Sequence, residues 1–316
     1  MGSGRARSSV NSSVAFIRFE LEMVSGVDLD VDALLRLRHL AARMRDSRTP
    51  PRSMMPGDIV HRRRGRGLEV HDIRLWSEGD DIRHLDHNAT ARTGIPHTRT
   101  YFDERERTVL LVADFRPSML FGTRRAFRSV AAAETLALLG WRAVARGGRV
   151  GLAAAHAGGM HYARRGRGER AMIALTGTLA EAHRDALAGR SSDDPPLDGI
   201  LETAGMLPGT GSTIIVATAL DTPGERFEAV ALALSQRHDL VFCLIEDEFE
   251  RAPVPGIYPF TTARGGSGWL RIDAGAKRPA LEARSATLRR LGARVLRLPA
   301  LNTPEANLPV LDLIDG

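Results

Sequence analysis

The stretch "LLVADFRPSMLFG", Leu110 to Gly122, opens as an apolar run and closes with Asp114, Arg116 and Ser118 at alternate positions. It reads as a buried strand that delivers polar groups to its own C-terminal end. A carboxylate and hydroxyls so spaced can converge on a hard divalent cation, because Mg²⁺ takes oxygen ligands in an octahedron. Asp114 and Ser118 supply two such groups, but Arg116 stands where the middle hydroxyl belongs. A guanidinium has no lone pair to offer. Beside an ion it repels; without one it can pair with Asp114. The expectation is a strand-end turn closed by an Asp114–Arg116 pair, or a degenerate metal site at Asp114 and Ser118 with weak Mg²⁺ binding at most.

Working outward, strands and helices alternate from Thr108 onward. An alanine-rich helix is expected over about 124–146, then a strand "RVGLAAAH" with "GMHYARRG" as its hairpin partner. Met172, Leu175 and Leu179 mark a helix, "STIIVAT" a strand, Phe227, Val230, Ala231 and Leu234 a helix, and "LVFCLIE" a strand. Leu281, Leu288 and Leu291 mark a late helix ended by Gly292, before a last strand "ARVLRLP". This order predicts an α/β fold with a doubly wound, mainly parallel sheet and helices on both faces. Ligands of such sheets sit at the carboxyl ends of the strands, which is where Asp114 to Ser118 fall. Upstream, Asp30 is placed to cap a helix with Ala33, Leu37, Leu40 and Met44 on one face. "RTPPRSMMPGD" reads as a linker, and "GLEVHDI" and "HTRTYF" as short strands of a small β-rich segment. The expected divisions are 1–50, a flexible N-terminus and helix; 51–107, the β-rich segment; and 108–316, the sheet domain.

Composition narrows the function. The formal net charge is +6 and the pI about 10.4, yet Lys277 is the only lysine. Basicity carried by arginine alone fits a coding bias, so nucleic acid is not the expected partner. A phosphate-binding GxxxxGK[ST] loop is excluded, since Lys277 lies in "GAKRPA". Cys243, the single cysteine, lies in an apolar run and is expected to be a buried structural thiol. One cysteine allows no disulfide within the chain, which fits a reducing, cytoplasmic compartment. No apolar run is long enough to cross a membrane, and Glu20 and Glu22 interrupt the N-terminal apolar patch, so neither a transmembrane segment nor a signal peptide is expected. "GGSGW" around Ser267 lacks the spacing of a nucleophile elbow. His156 and His161 flank the expected hairpin and read as satisfied or solvated.

Arg64 to Arg92 interleaves Glu69, Asp72, Glu78, Asp80, Asp81 and Asp86 with Arg74, Arg83 and Arg92, among turn glycines Gly65, Gly67 and Gly79. Three readings stand. Arginine forks pair with carboxylates, giving a structural ion-pair network. The same surface could dock a partner. Or His71, His84 and His87 with the carboxylates of 71–87 form a metal cluster, which would make the protein a metal-dependent hydrolase, although no HExxH motif occurs.

The order Gly65-x-Gly67, Glu69, Arg74, "EGDDIRHLD" and "TAR", followed by a strand and "DxxxSM", resembles the bacterial family called domain of unknown function 58, from about residue 57 to the C-terminus. The chain keeps Arg74, Gly79, Asp80, Asp81, Arg83, Asp86, Ala91 and Arg92 of the family pattern. It departs at Trp76 and His87, where the family usually has tyrosine and tryptophan. The resemblance implies a second half similar to a von Willebrand factor type A domain, whose metal-ion-dependent adhesion site begins DxSxS. Arg116 departs from its middle position, Asp198 stands near its threonine, and Thr218, with Asp221 beyond, near its later aspartate. It further implies a non-enzymatic interaction protein, partnered by a MoxR-type AAA+ ATPase in chaperone-like maturation or assembly of a client protein. On that reading the docking surface is the sheet's carboxyl edge around Asp114, Arg116 and Ser118, with the Glu69–Arg92 segment.

Overall fold

The computed structural model describes residues 26–44, 70–77, 82–101, 108–189, 194–261, 267–273 and 280–315. The chain forms two compact units, residues 49–106 and the remainder.

The larger unit is built on a six-stranded sheet. Its strands are β3 (Thr108–Asp114), β4 (Arg149–His156), β5 (Gly159–Gly166), β6 (Thr213–Thr218), β7 (Asp239–Glu246) and β10 (Arg294–Pro299), in the order β10-β7-β6-β3-β4-β5. All neighbours are parallel except β5, which returns antiparallel to β4. The sheet is covered on both faces. Alternation along β3 sends Leu111 and Ala113 to a core shared with α1 (Val31–Ala41), α3 (Arg128–Ala145) and α4 (Gly168–Ala188). Leu110 and Val112 point into a second core with α5 (Leu197–Gly205), α6 (Phe227–Arg237) and α8 (Ala280–Arg290). A strand apolar on both sides is what two helical layers demand. Gly140 lets α3 approach closely: a Cβ there would lie 2.9 Å from Met172 Sδ and 3.2 Å from Leu111. Among the described residues, no helix is long and apolar enough to cross a membrane.

The chain leaves β3 toward β4 on one side and comes back to β6 on the other. The switch point of the sheet therefore lies between the carboxyl ends of β3 and β6, the crevice where open α/β sheets place their sites.

Two details differ from the expectations. Helix α1 is capped by Asp30, whose side chain accepts the Asp32 N–H at 2.9 Å, and Leu37, Leu40 and Met44 pack on the core as expected, but Leu34 and Ala41 are the most buried positions of the helix and Ala33 is exposed. Trp141 donates its indole N–H to the Leu34 carbonyl at 3.2 Å on this buried side. The helix also packs into the sheet unit rather than standing apart from it. In addition, an antiparallel hairpin of β8 (Gly256–Thr261) and β9 (Ser267–Ile272) follows the one-turn helix α7 (Glu248–Arg251). It occupies a region the sequence reading left without strands.

The smaller unit pairs β1 (Val70–Leu75) with β2 (His97–Tyr101) and sets α2 (His87–Thr93) between them. The short helix is held by caps rather than by a hydrophobic stripe. Asp86 Oδ1 accepts the Ala89 N–H at 2.8 Å, and Gly94 takes the left-handed conformation at φ 74° and donates to the Thr90 carbonyl at 2.8 Å. Asp86 N–H also reaches the His97 carbonyl at 2.8 Å, and Thr90 Oγ1 accepts the His97 N–H at 3.0 Å. Helix and strand are thus stitched through the LDHNATAR motif. Asp86→Ala is expected to lower stability by about 1–2 kcal/mol, the scale of a lost N-cap, whereas Asp86→Asn, which can still cap, keeps most of it. Thermal unfolding of the two variants is the check. Equal losses would show that the charge matters and the cap does not.

Candidate functional site

The site is built from what lies at the switch point. Beyond Asp114 the backbone turns through a 3₁₀ segment, Pro117–Met119. Arg116 folds back on the residue two before it. Its Nε donates to Asp114 Oδ1 at 2.9 Å and Nη2 to Oδ2 at 2.8 Å, a two-pronged pair. Its backbone N–H adds a third bond to Oδ1 at 3.1 Å. Nη1 reaches across to the carbonyls of Pro195 at 2.5 Å and Thr222 at 2.9 Å, and lies 3.6 Å from Asp194. From β6, Thr218 Oγ1 donates to Asp114 Oδ2 at 2.6 Å and accepts the Leu220 N–H at 3.0 Å. Asp194 Oδ1 accepts the Ser118 N–H at 3.1 Å. One guanidinium thereby ties two loops, those of Asp194–Pro195 and Thr222, to the end of β3.

The pair is wholly internal: Arg116 is 0% exposed and Asp114 1%. Burial opposes the guanidinium charge, but the Asp114 bond and the charges of Asp114, Asp194 and Asp221 more than offset it, raising the pKa above the ordinary value. Ser118 Oγ and Asp194 Oδ2 are buried without a hydrogen-bond partner, a cost the site carries alongside the pair. Leu220 holds a left-handed φ of 58°, strained for a branched side chain, directly after the Thr218 turn.

A second arginine ties the neighbouring loops. Arg128, at the start of α3 and 5% exposed, pairs with Asp221 at 2.9 Å and Glu250 at 3.1 Å and donates to the Ser118 carbonyl. Arg284 also holds Asp221, at 3.0 Å. Asp247 caps α7 and accepts both the N–H and the hydroxyl of Thr123, at 2.9 and 2.7 Å. Asp198 turns away, its Oδ2 accepting the Arg226 N–H at 3.0 Å.

These positions bear on the metal question raised by DxRxS. Asp114 has both oxygens engaged by Arg116 and Thr218, and an ion bound by Asp114 and Ser118 would have to displace a fixed cation. The residues do not fit a resident Mg²⁺. The expected docking role of Asp114 and Arg116 is also corrected, because no partner can touch side chains buried to this degree. Asp194 escaped the sequence reading. It stands in "SSDDPP", with nothing local to distinguish it from a solvated loop acid.

Other candidates fall as follows. Gly65, Gly67, Glu69, Gly79, Asp80 and Asp81 lie outside the described residues. Arg74 sits on β1 opposite Thr98. Arg83 and Arg92 are exposed, Arg92 in the last turn of α2, where a cation suits the helix dipole. His87 is exposed at the start of α2; the side chains of His71 and His84 lie outside those described. Cys243 is buried, and burial pushes its thiol up to about 12, so it is inert.

Two histidine arrangements were missed. Ser129 Oγ lies 2.9 Å from His183 Nε2, the spacing of a nucleophile and base. At 0% and 1% exposed, neither can meet a substrate, and burial holds His183 down to about 4. It is a neutral core histidine, edge-on to Phe115 with centroids 5.1 Å apart. The second arrangement joins His156, His161 and Asp185. Burial and the neighbouring His161 lower the His156 pKa against the pull of Asp185.

Three uncharacterized mycobacterial proteins, Mb1516 of Mycobacterium bovis and MT1527 and Rv1480 of Mycobacterium tuberculosis, are each 40% identical over 70 residues. The matched stretch spans 22% of this chain and 22% of each relative. The crystal structure of the conserved hypothetical protein BatB from Bacteroides thetaiotaomicron aligns with a TM-score of 0.42 and 14% identity, covering 66% of this chain and 98% of that one. The model of the family described as protein of unknown function DUF58 matches residues 72–289, and the chain belongs to that family.

Proposed function

We propose that this protein is a non-enzymatic interaction protein with a von Willebrand factor A-like sheet domain. In this reading it works with a MoxR-type AAA+ ATPase in the chaperone-like maturation or assembly of a client protein. The observation that carries the reading is the β8–β9 hairpin. Register pairs Pro259 with Trp269 and Tyr258 with Leu270. Alternation then puts Ile257 on the same face as Trp269, and Tyr258 on the opposite one. Tyr258 packs edge-on against Phe249 of α7, centroids 5.0 Å apart. Among the described residues nothing covers the other face, with Trp269 72% and Ile257 57% exposed, beside Val254 at 56% in the preceding loop. An exposed tryptophan on a two-stranded support, tied through α7 and Asp247 to the β3–α3 loop, suits an anchor for a partner.

The arginine-held strand end supports the same reading. It gives the loops a platform that needs no ion to form, and loops on a rigid scaffold are where binding concentrates. The test is to mix the purified chain with a MoxR-type ATPase from the same organism. Complex formation and ATP turnover are followed across a salt series, with Trp269→Ser beside the wild type and its melting temperature checked. A complex weakened more than about tenfold by Trp269→Ser is the expected result. Toward an acidic docking surface, the net charge of +6 predicts slower association as salt rises. No complex, or one indifferent to the substitution, would remove the hairpin from this role. Metal-dependent hydrolysis lost on His71→Ala would favour the hydrolase instead.

A further inference from the structure

The geometry points to a transition-metal site, of the kind that takes Zn²⁺, formed by His156, His161 and Asp185. Its residues come from three elements that the fold makes adjacent. Pairing of β4 with β5 sets Ala154 opposite His161 and His156 opposite Gly159. His156 and His161 are therefore diagonal neighbours on one face of the hairpin. Their rings lie 5.3 Å apart at 36°. Asp185, in the last turn of α4, completes the group: its Oδ2 is 3.0 Å from His161 Nε2. One ligand atom from each of the three lies within 4.8 Å of the others. Ligand atoms at about 2.0–2.2 Å around one tetrahedral zinc ion stand roughly 3.3–3.6 Å apart, so the three side chains must close by up to about 1.5 Å, a movement that rotations about their own bonds supply.

Three further features favour a cation here. Imidazole with carboxylate is a donor set suited to Zn²⁺, and poorly suited to Mg²⁺. Asp185 sits at a helix C-terminus, where the dipole already makes the potential negative and a carboxylate is misplaced unless a positive group faces it. The cluster also opens onto a cavity of about 260 Å³, lined in part by Phe115, Pro117, Gly158 and Ala186. Three protein ligands plus an accessible fourth position is the arrangement of an open zinc site rather than a closed structural one. The Gly158 N–H donates to His156 Nδ1 at 3.2 Å, a long bond that a metal at that nitrogen displaces and a metal at Nε2 requires the ring to turn away from. The site is separate from Asp114–Arg116 and stands whether or not the hairpin docks a partner.

The test uses the full chain without any affinity tag. Zn²⁺ is titrated by calorimetry, and Co²⁺ is added as a visible probe of a low-coordinate nitrogen–oxygen site. One ion per chain, a visible cobalt band displaced by Zn²⁺ and a raised melting temperature are expected. His156→Ala and His161→Ala should each weaken binding by more than about tenfold, and Asp185→Asn by less, since an amide oxygen remains. Each variant's metal-free melting temperature shows that it folds. No binding in the wild type would overturn the proposal. So would binding unchanged in His156→Ala and His161→Ala, or binding abolished by His71→Ala in their place.

Discussion

Arg116→Ala is expected to lower stability by about 3–5 kcal/mol, because it strands a buried carboxylate whose partners were built around a cation. Asp114 would keep the Thr218 hydroxyl at 2.6 Å but lose the two-pronged guanidinium. The carbonyls of Pro195 and Thr222 would lose their shared donor. Denaturant unfolding reads the loss directly. The double variant Asp114→Asn with Arg116→Met removes both charges and should recover a substantial part of it, since replacing a buried pair outright is far cheaper than breaking it. A double variant no better than the single one would show that the arginine acts through its carbonyl bonds alone. Arg116→Ser carries a second expectation. With Asp114, Ser118, Asp194 and Thr218 left around the gap, millimolar Mg²⁺ should stabilise this variant and leave the wild type unmoved. Tight Mg²⁺ binding by the wild type would contradict the lock.

The second large effect is on pH. His183 is neutral in the fold and held to about 4, against an unfolded value near 6.5. Between those values the unfolded chain takes up a proton that the folded chain refuses, so stability falls as the solution is acidified. The contribution is fully present above pH 6.5 and is lost progressively down to about pH 4, by roughly 3 kcal/mol. His183→Gln keeps a group able to bond Ser129 and cannot titrate. The difference in stability between wild type and His183→Gln should therefore slope across this window. Parallel curves would mean that His183 titrates normally and that the core opens around it.

The sheet was legible in the sequence because its strands are apolar on both faces and its helices carry one-sided stripes. Leu110 to Ala113 could hardly be anything else. The Asp114–Arg116 pair at the strand end was legible as well, since a guanidinium two residues beyond a carboxylate has no lone pair for a metal and a fork for the acid. What stayed hidden were contacts made across the chain. Asp194 and Thr222 meet Arg116 only after α4 and β6 return to the sheet. Ser129 and His183 lie on different helices, and Asp185 meets the two hairpin histidines through α4. No spacing pattern reports such encounters. The burial of Arg116 was misjudged for a physical reason: arginine is seldom fully buried unless paired, and the number of partners gathered on one guanidinium is a tertiary fact. Helix α2 was overlooked because seven residues carry no periodic stripe, although Asp86 and Gly94 are an N-cap and a C-cap in plain view.

The cation at the strand end is tethered. A dissociable ion would spend translational freedom on binding and would be gained or lost with its concentration, so chelators or depletion could toggle the loops around it. A guanidinium two residues along the same chain meets its carboxylate intramolecularly, at an effective concentration no buffer can change, and it does not deprotonate in any physiological range. The crevice between β3 and β6 is thus set once, at folding. Any signal that changes the state of this protein has to act elsewhere on the molecule than this crevice.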